Sequence, residues 1–180
     1  VVGPMGATAW ALPSAGQVFA GTVTFSATAT QLTLWQSSPT AIVNWASADL
    51  ASNESFTVMQ PSTAAGALFR VTGAGTPSLV NGSVSANGGL VLANANGITF
   101  GNTASINVGS LLATSLQTSD GDFLASAPLA LSAGASRTTV ANQNSVSAAG
   151  GGSVALVGGS VSNTGTIAAA GGKISLDAAG

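Results

Sequence analysis

The chain has 180 residues, of which three are Lys or Arg and five are Asp or Glu, so that charged residues make up 4% and the net charge is −2. It contains no Cys and no His, which excludes the usual zinc, haem and iron–sulfur sites and any catalysis by a His-activated or thiol nucleophile. Three cations cannot neutralise a phosphate backbone, so we expect no nucleic acid partner, and no cofactor is implied.

The first residues permit two interpretations. Residues 1–11 are apolar and end in Ala9-Trp10-Ala11, which is similar to the small-residue site that closes a signal peptide. The same residues also fit a first strand. The sequence leaves both alternatives open.

From residue 12 onward the pattern predicts short strands. Runs of Val, Ile, Leu, Thr and Phe alternate with small polar residues, and this period of two is typical of strands with one face buried. Turn pairs separate the runs, such as Asn81-Gly82, Asn96-Gly97 and Asp120-Gly121. Helical periodicity is nearly absent.

A loose repeat of about twenty residues runs through the second half of the chain. Residues 82–92 resemble residues 165–176, and Val154 and Leu156 lie twenty residues before Ile174 and Leu176. Short strands with Gly and Asn corners at such a period favour a right-handed parallel β-helix, in which each coil stacks on the next. A β-sandwich has similar turn spacing and is the competing interpretation.

The composition indicates one domain over residues 12–180. Residues 12–80 hold most of the large aromatic side chains and are predicted to form an N-terminal β cap and the early coils, together with a small extra-helical hairpin. Residues 81–180 are predicted to form regular coils. The pattern stops within a strand, so we expect this segment to be the start of a longer protein.

Several ordered blocks resemble the N-terminal two-partner-secretion (TPS) domain of the filamentous haemagglutinin family. The most specific block is Leu92-Ala93-Asn94-Ala95-Asn96-Gly97-Ile98-Thr99-Phe100-Gly101, which is similar to the family pattern N-P-N-G-I/V-x-F-G, with Ala95 in place of proline. Other matching blocks lie at residues 12–21, 41–50, 53–62, 67–71, 106–116 and 154–167.

The resemblance implies a β-helical, non-catalytic module for secretion and folding. It implies export to the periplasm, recognition by POTRA-type periplasmic domains of an outer-membrane transporter, and folding outside a Gram-negative cell, where the parent protein is secreted or displayed. The parent is expected to be an adhesin or haemagglutinin whose host-cell or matrix ligand is bound by downstream regions.

Two sets of residues are candidates for functional or structural roles. The first is the motif Asn94, Asn96, Gly97 and Ile98, predicted either to contact the transporter and nucleate folding or to form only a corner of the coil, since Asn and Gly tolerate left-handed backbone. The second is Arg70, a rare cation between apolar residues, for which we hypothesise a pair with Glu54 or Asp49 because an unpaired buried charge is costly.

The remaining candidates have simpler structural interpretations. Asp120-Gly121-Asp122 lacks the further ligands of a calcium loop and is predicted to be an exposed turn. The three tryptophans, Trp10, Trp35 and Trp45, are interpreted as core or cap anchors, with a sugar-binding platform as the alternative.

Two alternative functions belong to other classes. A self-standing adhesive or filament-forming solenoid would be favoured by regular Thr or Asn rows on one flat face. A polysaccharide lyase would need clustered carboxylates and basic residues, which eight scattered charges do not supply.

Overall fold

The structure is a computed structural model that describes residues 11–73, 75–134 and 137–179. Within these residues the chain forms a parallel β-solenoid of about six turns, as the repeat predicts. The predicted signal-peptide remnant or first strand at residues 1–11 lies almost entirely outside the described residues, and so does Trp10.

The strands are short and follow one another coil by coil. Two strands precede the coils, β1 (Gln17–Ala20) and β2 (Val23–Ala27). The first three coils are made of β3 (Gln31–Gln36) and β4 (Thr40–Trp45), then β5 (Ser55–Met59), β6 (Gly66–Val71) and β7 (Ser78–Val80), then β8 (Ser83–Ala86), β9 (Gly89–Ala93) and β10 (Ile98–Phe100).

The fourth coil is interrupted by an insert. It begins with β11 (Ser105–Val108) and β12 (Ser110–Thr114). The insert, residues 117–132, then forms β13 (Gln117–Thr118), α1 (Asp120–Leu124) and β14 (Leu131–Ser132). The remaining strands are β15 (Thr139–Asn142), β16 (Ser145–Ala148), β17 (Val154–Gly158), β18 (Ser160–Asn163), β19 (Thr166–Ala169) and β20 (Ile174–Ala178).

Three sheets run along the axis of the solenoid. Sheet I has the order β1-β4-β6-β9-β12-β17-β20, sheet II has the order β19-β16-β11-β8-β5-β3-β2, and sheet III has the order β18-β15-β10-β7. Within the coils each strand pairs in parallel with the equivalent strand of the next coil, which rules out the antiparallel sandwich. Val154 pairs with Ile174 and Leu156 with Leu176, so the twenty-residue repeat corresponds to one coil.

The interior is filled by columns of side chains from successive coils. In sheet II the pairs Leu32–Phe56, Phe56–Val84 and Val84–Ile106 follow from the register. Because parallel pairing places like positions side by side, an apolar residue at an inward position buries its neighbour in the next coil as well as itself. The columns form one continuous core.

Amide side chains close the corner between sheets II and I. Gln36 Nε2 donates to the carbonyl of Gly66 at 3.0 Å, and Gln60 Nε2 donates to that of Gly89 at 3.1 Å. Each acceptor lies in the following coil. The two buried amides therefore bind neighbouring coils at a place where the strand ladder is broken by the turn.

The predicted N-terminal cap is present, and it is made of antiparallel strands. β1 pairs with β4 at the end of sheet I, and β2 pairs with β3 at the end of sheet II. These two strands cover the ladder of the first coil, which would otherwise present a free edge to other chains.

Tryptophan positions are only partly as expected. Trp45 is buried, and its ring lies edge-on to Phe25, Phe56 and Phe69 at centroid distances of 5.6, 5.7 and 5.9 Å. Trp35 is 45% exposed on the outside of β3, so its interpretation as a core anchor is wrong. The alternation of β3 places Leu32 and Leu34 inward and Trp35 outward.

Among the described residues, no helix combines the length and the hydropathy that spanning a membrane requires.

Stacking of the columns leads to a testable difference between two leucines. Replacing Leu156, which is fully buried between Ala113 and Leu176, by Ala should lower the free energy of unfolding by about 2–5 kcal/mol. The matched change Leu79→Ala, at a side chain that is 48% exposed, should cost only about 0.5 kcal/mol. Urea unfolding measures both values, and equal losses would contradict the assignment of inward positions.

Candidate functional site

The predicted motif lies at one corner of the third coil, between β9 and β10. Gly97 has a φ of +107°, in the left-handed region that favours glycine, and its N–H donates to the carbonyl of Asn94 at 3.0 Å. A Cβ added at Gly97 would lie 2.9 Å from the carbonyl oxygen of Thr139. The corner therefore requires glycine for its backbone and for the close approach of the next coil.

Asn94 connects this corner to the coils on both sides. Asn94 as a whole is 99% buried. Its side-chain Nδ2 donates to Thr76 O at 3.1 Å and to Ser78 Oγ at 2.9 Å, both in the preceding coil. Its backbone N–H donates to Thr114 O at 3.0 Å, in the following coil. Its Oδ1 accepts from Asn96 N at 2.9 Å. Asn94 is thus a structural link between three coils.

The other motif residues differ in exposure. Ile98 is fully buried and pairs with Ser78 on one side and Val140 on the other. Asn96 is half-buried, and Ala95, which stands where the family pattern has proline, is exposed. In the folded domain only the tip of the corner is accessible, so contact of a partner with Asn94 or Ile98 requires an unfolded chain.

A groove of about 340 Å³ with a mixed polar and apolar lining lies beside the corner. It is lined by Ala93 and Ala95 on the corner side, by Arg70 and Val71 of the second coil, and by residues 116–118 leading into the insert. The groove has no cluster of ionisable groups, and in the described parts of the chain no three or more Asp or Glu side chains gather in a way that could hold a metal ion.

Arg70 pairs with Asp120, so the predicted pair with Glu54 is wrong. The Arg70 guanidinium forms an ion pair with Asp120 and donates to Thr118 Oγ1 at 3.0 Å. Glu54 is 97% buried at the corner before β5, where its carboxylate accepts the N–H groups of Ala51 and Ala11 at 2.8 and 2.9 Å.

The geometry of the strands explains this correction. Arg70 points outward from sheet I, since its neighbour Phe69 points into the core, whereas the carboxylate of Glu54 is held by backbone amides at the corner before β5. Asp49, the alternative partner, accepts the N–H of Leu79 at 2.8 Å. Asp120 lies fifty residues further along the chain and meets Arg70 only because the insert folds back over sheet I.

Within the insert, the short helix α1 contains Asp120-Gly121-Asp122, where the sequence predicted an exposed turn. Ser119 caps the start of α1 by accepting the N–H of Asp122 at 3.2 Å, and both acidic residues lie in the first turn, where the helix dipole favours negative charge. Phe123 packs over Gly66 and beside Ile42 and Leu68 on the outside of sheet I. The insert thus covers apolar side chains that point away from the main core.

A second surface is formed by the outward side chains of sheet II, which we call the hydroxyl face. Its first row contains one polar residue from each of six paired strands: Gln31, Ser55, Ser83, Ser105, Ser145 and Thr166. Its second row is equally regular: Thr33, Thr57, Ser85, Asn107 and Ser147, ending at Ala168. The alternating residues were visible in the sequence, but their alignment into rows depends on the register.

Comparison with known proteins places these features in context. The family model described as TPS secretion domain matches residues 11–180. The crystal structure of the HMW1 secretion domain from Haemophilus influenzae superposes with a TM-score of 0.86 at 30% identity, over 92% of this chain and 44% of that one.

Two curated relatives from Haemophilus influenzae are both named heme/hemopexin-binding protein. They are 37% identical over 103 residues and 41% identical over 95 residues, or 57% and 52% of this chain. The matched segments are 11% and 10% of the relatives, so the chain corresponds to a small part of their length.

The hydrogen bonds of the corner predict unequal effects of its two asparagines. Asn94→Ala should lower the free energy of unfolding by about 1–3 kcal/mol, because Ser78 Oγ and Thr76 O lose a buried donor. Asn96→Ala should cost less than about 1 kcal/mol, since Asn96 is half-buried and bonds only within the corner. Guanidinium unfolding of the two variants and the parent tests this order, and a larger loss at Asn96 would contradict the structural role of Asn94.

The pairing of Arg70 can be measured with two double-mutant cycles. Alanine substitutions at Arg70 and Asp120 should show a coupling of about 0.5–1 kcal/mol, a modest value because both side chains are partly exposed. The cycle between Arg70 and Glu54 should be additive within about 0.3–0.5 kcal/mol. Coupling to Glu54 without coupling to Asp120 would refute the observed pair.

Proposed function

Because this chain belongs to the family of TPS secretion domains, we propose that it directs a larger exoprotein to its outer-membrane transporter and then nucleates folding of the parent β-helix. Members of this family serve proteins secreted by the two-partner pathway of Gram-negative bacteria. The chain is accordingly a secretion-targeting module, and its destination is the cell surface or the medium.

The burial of Asn94 is the observation that supports the folding role. A side chain with partners in the preceding coil and a backbone N–H bonded to the following coil can complete its bonds only when three coils are assembled. A buried amide without those partners would cost about 1–3 kcal/mol. Formation of this corner therefore commits residues 76–114 to the β-helical register.

Recognition by the transporter would then occur before folding. In the unfolded chain Asn94, Asn96, Gly97 and Ile98 are accessible together, whereas in the folded domain Asn94 and Ile98 are buried. We expect the periplasmic POTRA-type domains to bind such a segment as an added strand, with backbone hydrogen bonds giving affinity and side-chain pockets giving specificity.

The parent protein is proposed to be an adhesin or haemagglutinin with this domain, residues 12–180, near its start. The relatives named heme/hemopexin-binding protein support a second type of parent, one that acquires haem. In either case the host ligand would be bound by regions outside this chain. The domain itself is proposed to be non-catalytic, as is usual for a secretion module.

A second candidate function is that of a self-standing adhesive or filament-forming solenoid. The regular rows of the hydroxyl face favour the adhesive form of this function, although they mix Ser with the Thr and Asn expected of such a module. Sedimentation of the purified domain over a range of concentrations tests filament formation, and a monomer at all concentrations would count against it.

A secretion assay tests the proposed function. The domain, fused to a Sec signal, is expressed with and without the transporter encoded beside its gene, and is quantified in the medium and the periplasm. We expect release that depends on the transporter. Release to the same extent without the transporter, or retention with it, would refute the targeting role.

Three variants separate recognition from stability in the same assay. Leu156→Ala should destabilise the fold at least as much as Asn94→Ala, but it lies outside the motif, two strands away from β9 in sheet I. If the transporter recognises the motif, Asn94→Ala and Asn96→Ala should reduce secretion more than Leu156→Ala does. If secretion instead follows stability alone, the motif has only its structural role.

A further inference from the structure

Hydrogen bonds between neighbouring strands hold side chains of the hydroxyl face in place. Thr57 and Ser85 are bonded at 3.3 Å through their hydroxyl groups, and Ser147 Oγ lies 2.6 Å from Asn107 Oδ1. Asn107 Nδ2 also donates to Ser105 Oγ at 3.1 Å. Because neighbouring strands hold these groups in register, a ligand would meet them without first ordering them.

Two shallow depressions follow one another along one side of this face. The first is about 470 Å³ and is lined by Thr57, Met59, Ser85 and Asn87 among others. The second is about 260 Å³ and includes Asn107, Ser147 and Ala149. Both touch Ala86, so together they form a furrow parallel to the axis of the solenoid.

An aromatic ring stands at the N-terminal end of the furrow. Trp35 is 45% exposed and lies beside Met59, its register partner, which is 50% exposed. Trp35 lies outward rather than in the core, and its strand neighbours are Thr24 of the cap strand β2 and Met59 of β5. Trp35 lies on the same strand as Thr33, which begins the second row, so its ring presents an apolar surface beside the N-terminal end of that row.

The size of the face argues against a second protein as its partner. Seven strands span about 29 Å along the axis, and four residues of each strand span about 13 Å across it. The face therefore offers roughly 400 Å² per partner, whereas stable protein interfaces bury about 600–1,000 Å² on each side. A long and narrow ligand uses such a surface better than a globular partner or a second copy does.

The lack of charge on the face favours a neutral long ligand over an anionic one. None of the described residues of the sheet II strands is charged, so the face offers no counterion to an anionic polymer. Hydroxyl and amide groups suit a neutral partner that is itself rich in hydroxyl groups. The strand spacing of about 4.8 Å is close to the length of one pyranose unit in a straight glycan.

We propose that the hydroxyl face binds a straight, neutral glycan chain laid along the solenoid axis. Trp35 stacks on one sugar ring at the end of the furrow, while Thr57, Ser85, Asn107 and Ser147 exchange hydrogen bonds with the hydroxyl groups of successive sugars. This role goes beyond secretion, because it belongs to the folded domain after export and does not involve the transporter.

The test uses the purified 180-residue chain and neutral oligosaccharides of known shape. Cellohexaose and chitohexaose are the straight probes, maltohexaose is the curved neutral probe, and an alginate hexamer is the straight anionic probe. Titration is followed by the indole and amide cross-peaks in ¹H–¹⁵N NMR spectra. We expect saturable shifts with at least one straight neutral probe, confined to sheet II, and none with the curved or anionic probes.

Three variants locate the site. Trp35→Ser should weaken binding about tenfold by removing the stacking surface. Asn107→Asp keeps the size of the side chain but removes its donors and adds charge, and should weaken binding to a similar extent. Gln143→Glu makes the same chemical change at an exposed corner outside the face and should leave binding unaltered.

Three outcomes would overturn the proposal. They are the absence of saturable binding with both straight neutral probes, shifts that lie outside sheet II, and equal affinity of the Trp35 and Asn107 variants with the parent. Circular dichroism confirms that each variant is folded before it is scored. Since no transporter is present, failure here leaves the secretion role untouched, and failure of the secretion assay does not affect this result.

Discussion

Parallel pairing of each coil with the next is the interaction on which the whole domain depends. It aligns like positions in adjacent coils, so one apolar residue at an inward position creates a site that the following coil must also fill with an apolar residue. The same alignment applies to polar groups. Gln36 and Gln60 are buried, and each amide donates both to a carbonyl of its own turn and to one on the next coil. The scarcity of charge follows from this arrangement, since like charges stacked about 4.8 Å apart would repel each other.

The structural role of the motif near residue 94 depends on the same parallel pairing of successive coils. An asparagine that bonds to one neighbouring coil with its side chain and to the other with its backbone is satisfied only within an assembled stack. Before folding the same segment is a short, uncharged and flexible piece of chain. In the proposed order of events, the transporter recognises the segment while it is unfolded, and the segment then folds into the stack.

Outward positions are aligned by the same register but do not have to fill the core, and they carry the features that distinguish this domain. On sheet I the insert covers Ile42 and Leu68 with Phe123 and is held by the ion pair of Arg70 and Asp120. On sheet II the outward residues stay uncovered and are mostly polar, and Trp35 and Met59 are exposed among them. Two sheets of one solenoid therefore have different surfaces, one closed by its own chain and one available to a ligand.

The sequence by itself determined the solenoid, the twenty-residue coil and the corner at Asn96-Gly97, because period-two alternation and left-handed turn residues are local signals. It did not determine the partner of Arg70, the exposure of Trp35 or the rows of the hydroxyl face. Asp120 is fifty residues from Arg70, and the rows join residues from six strands. Such contacts are set by register and by the return path of an insert, which only the tertiary structure decides.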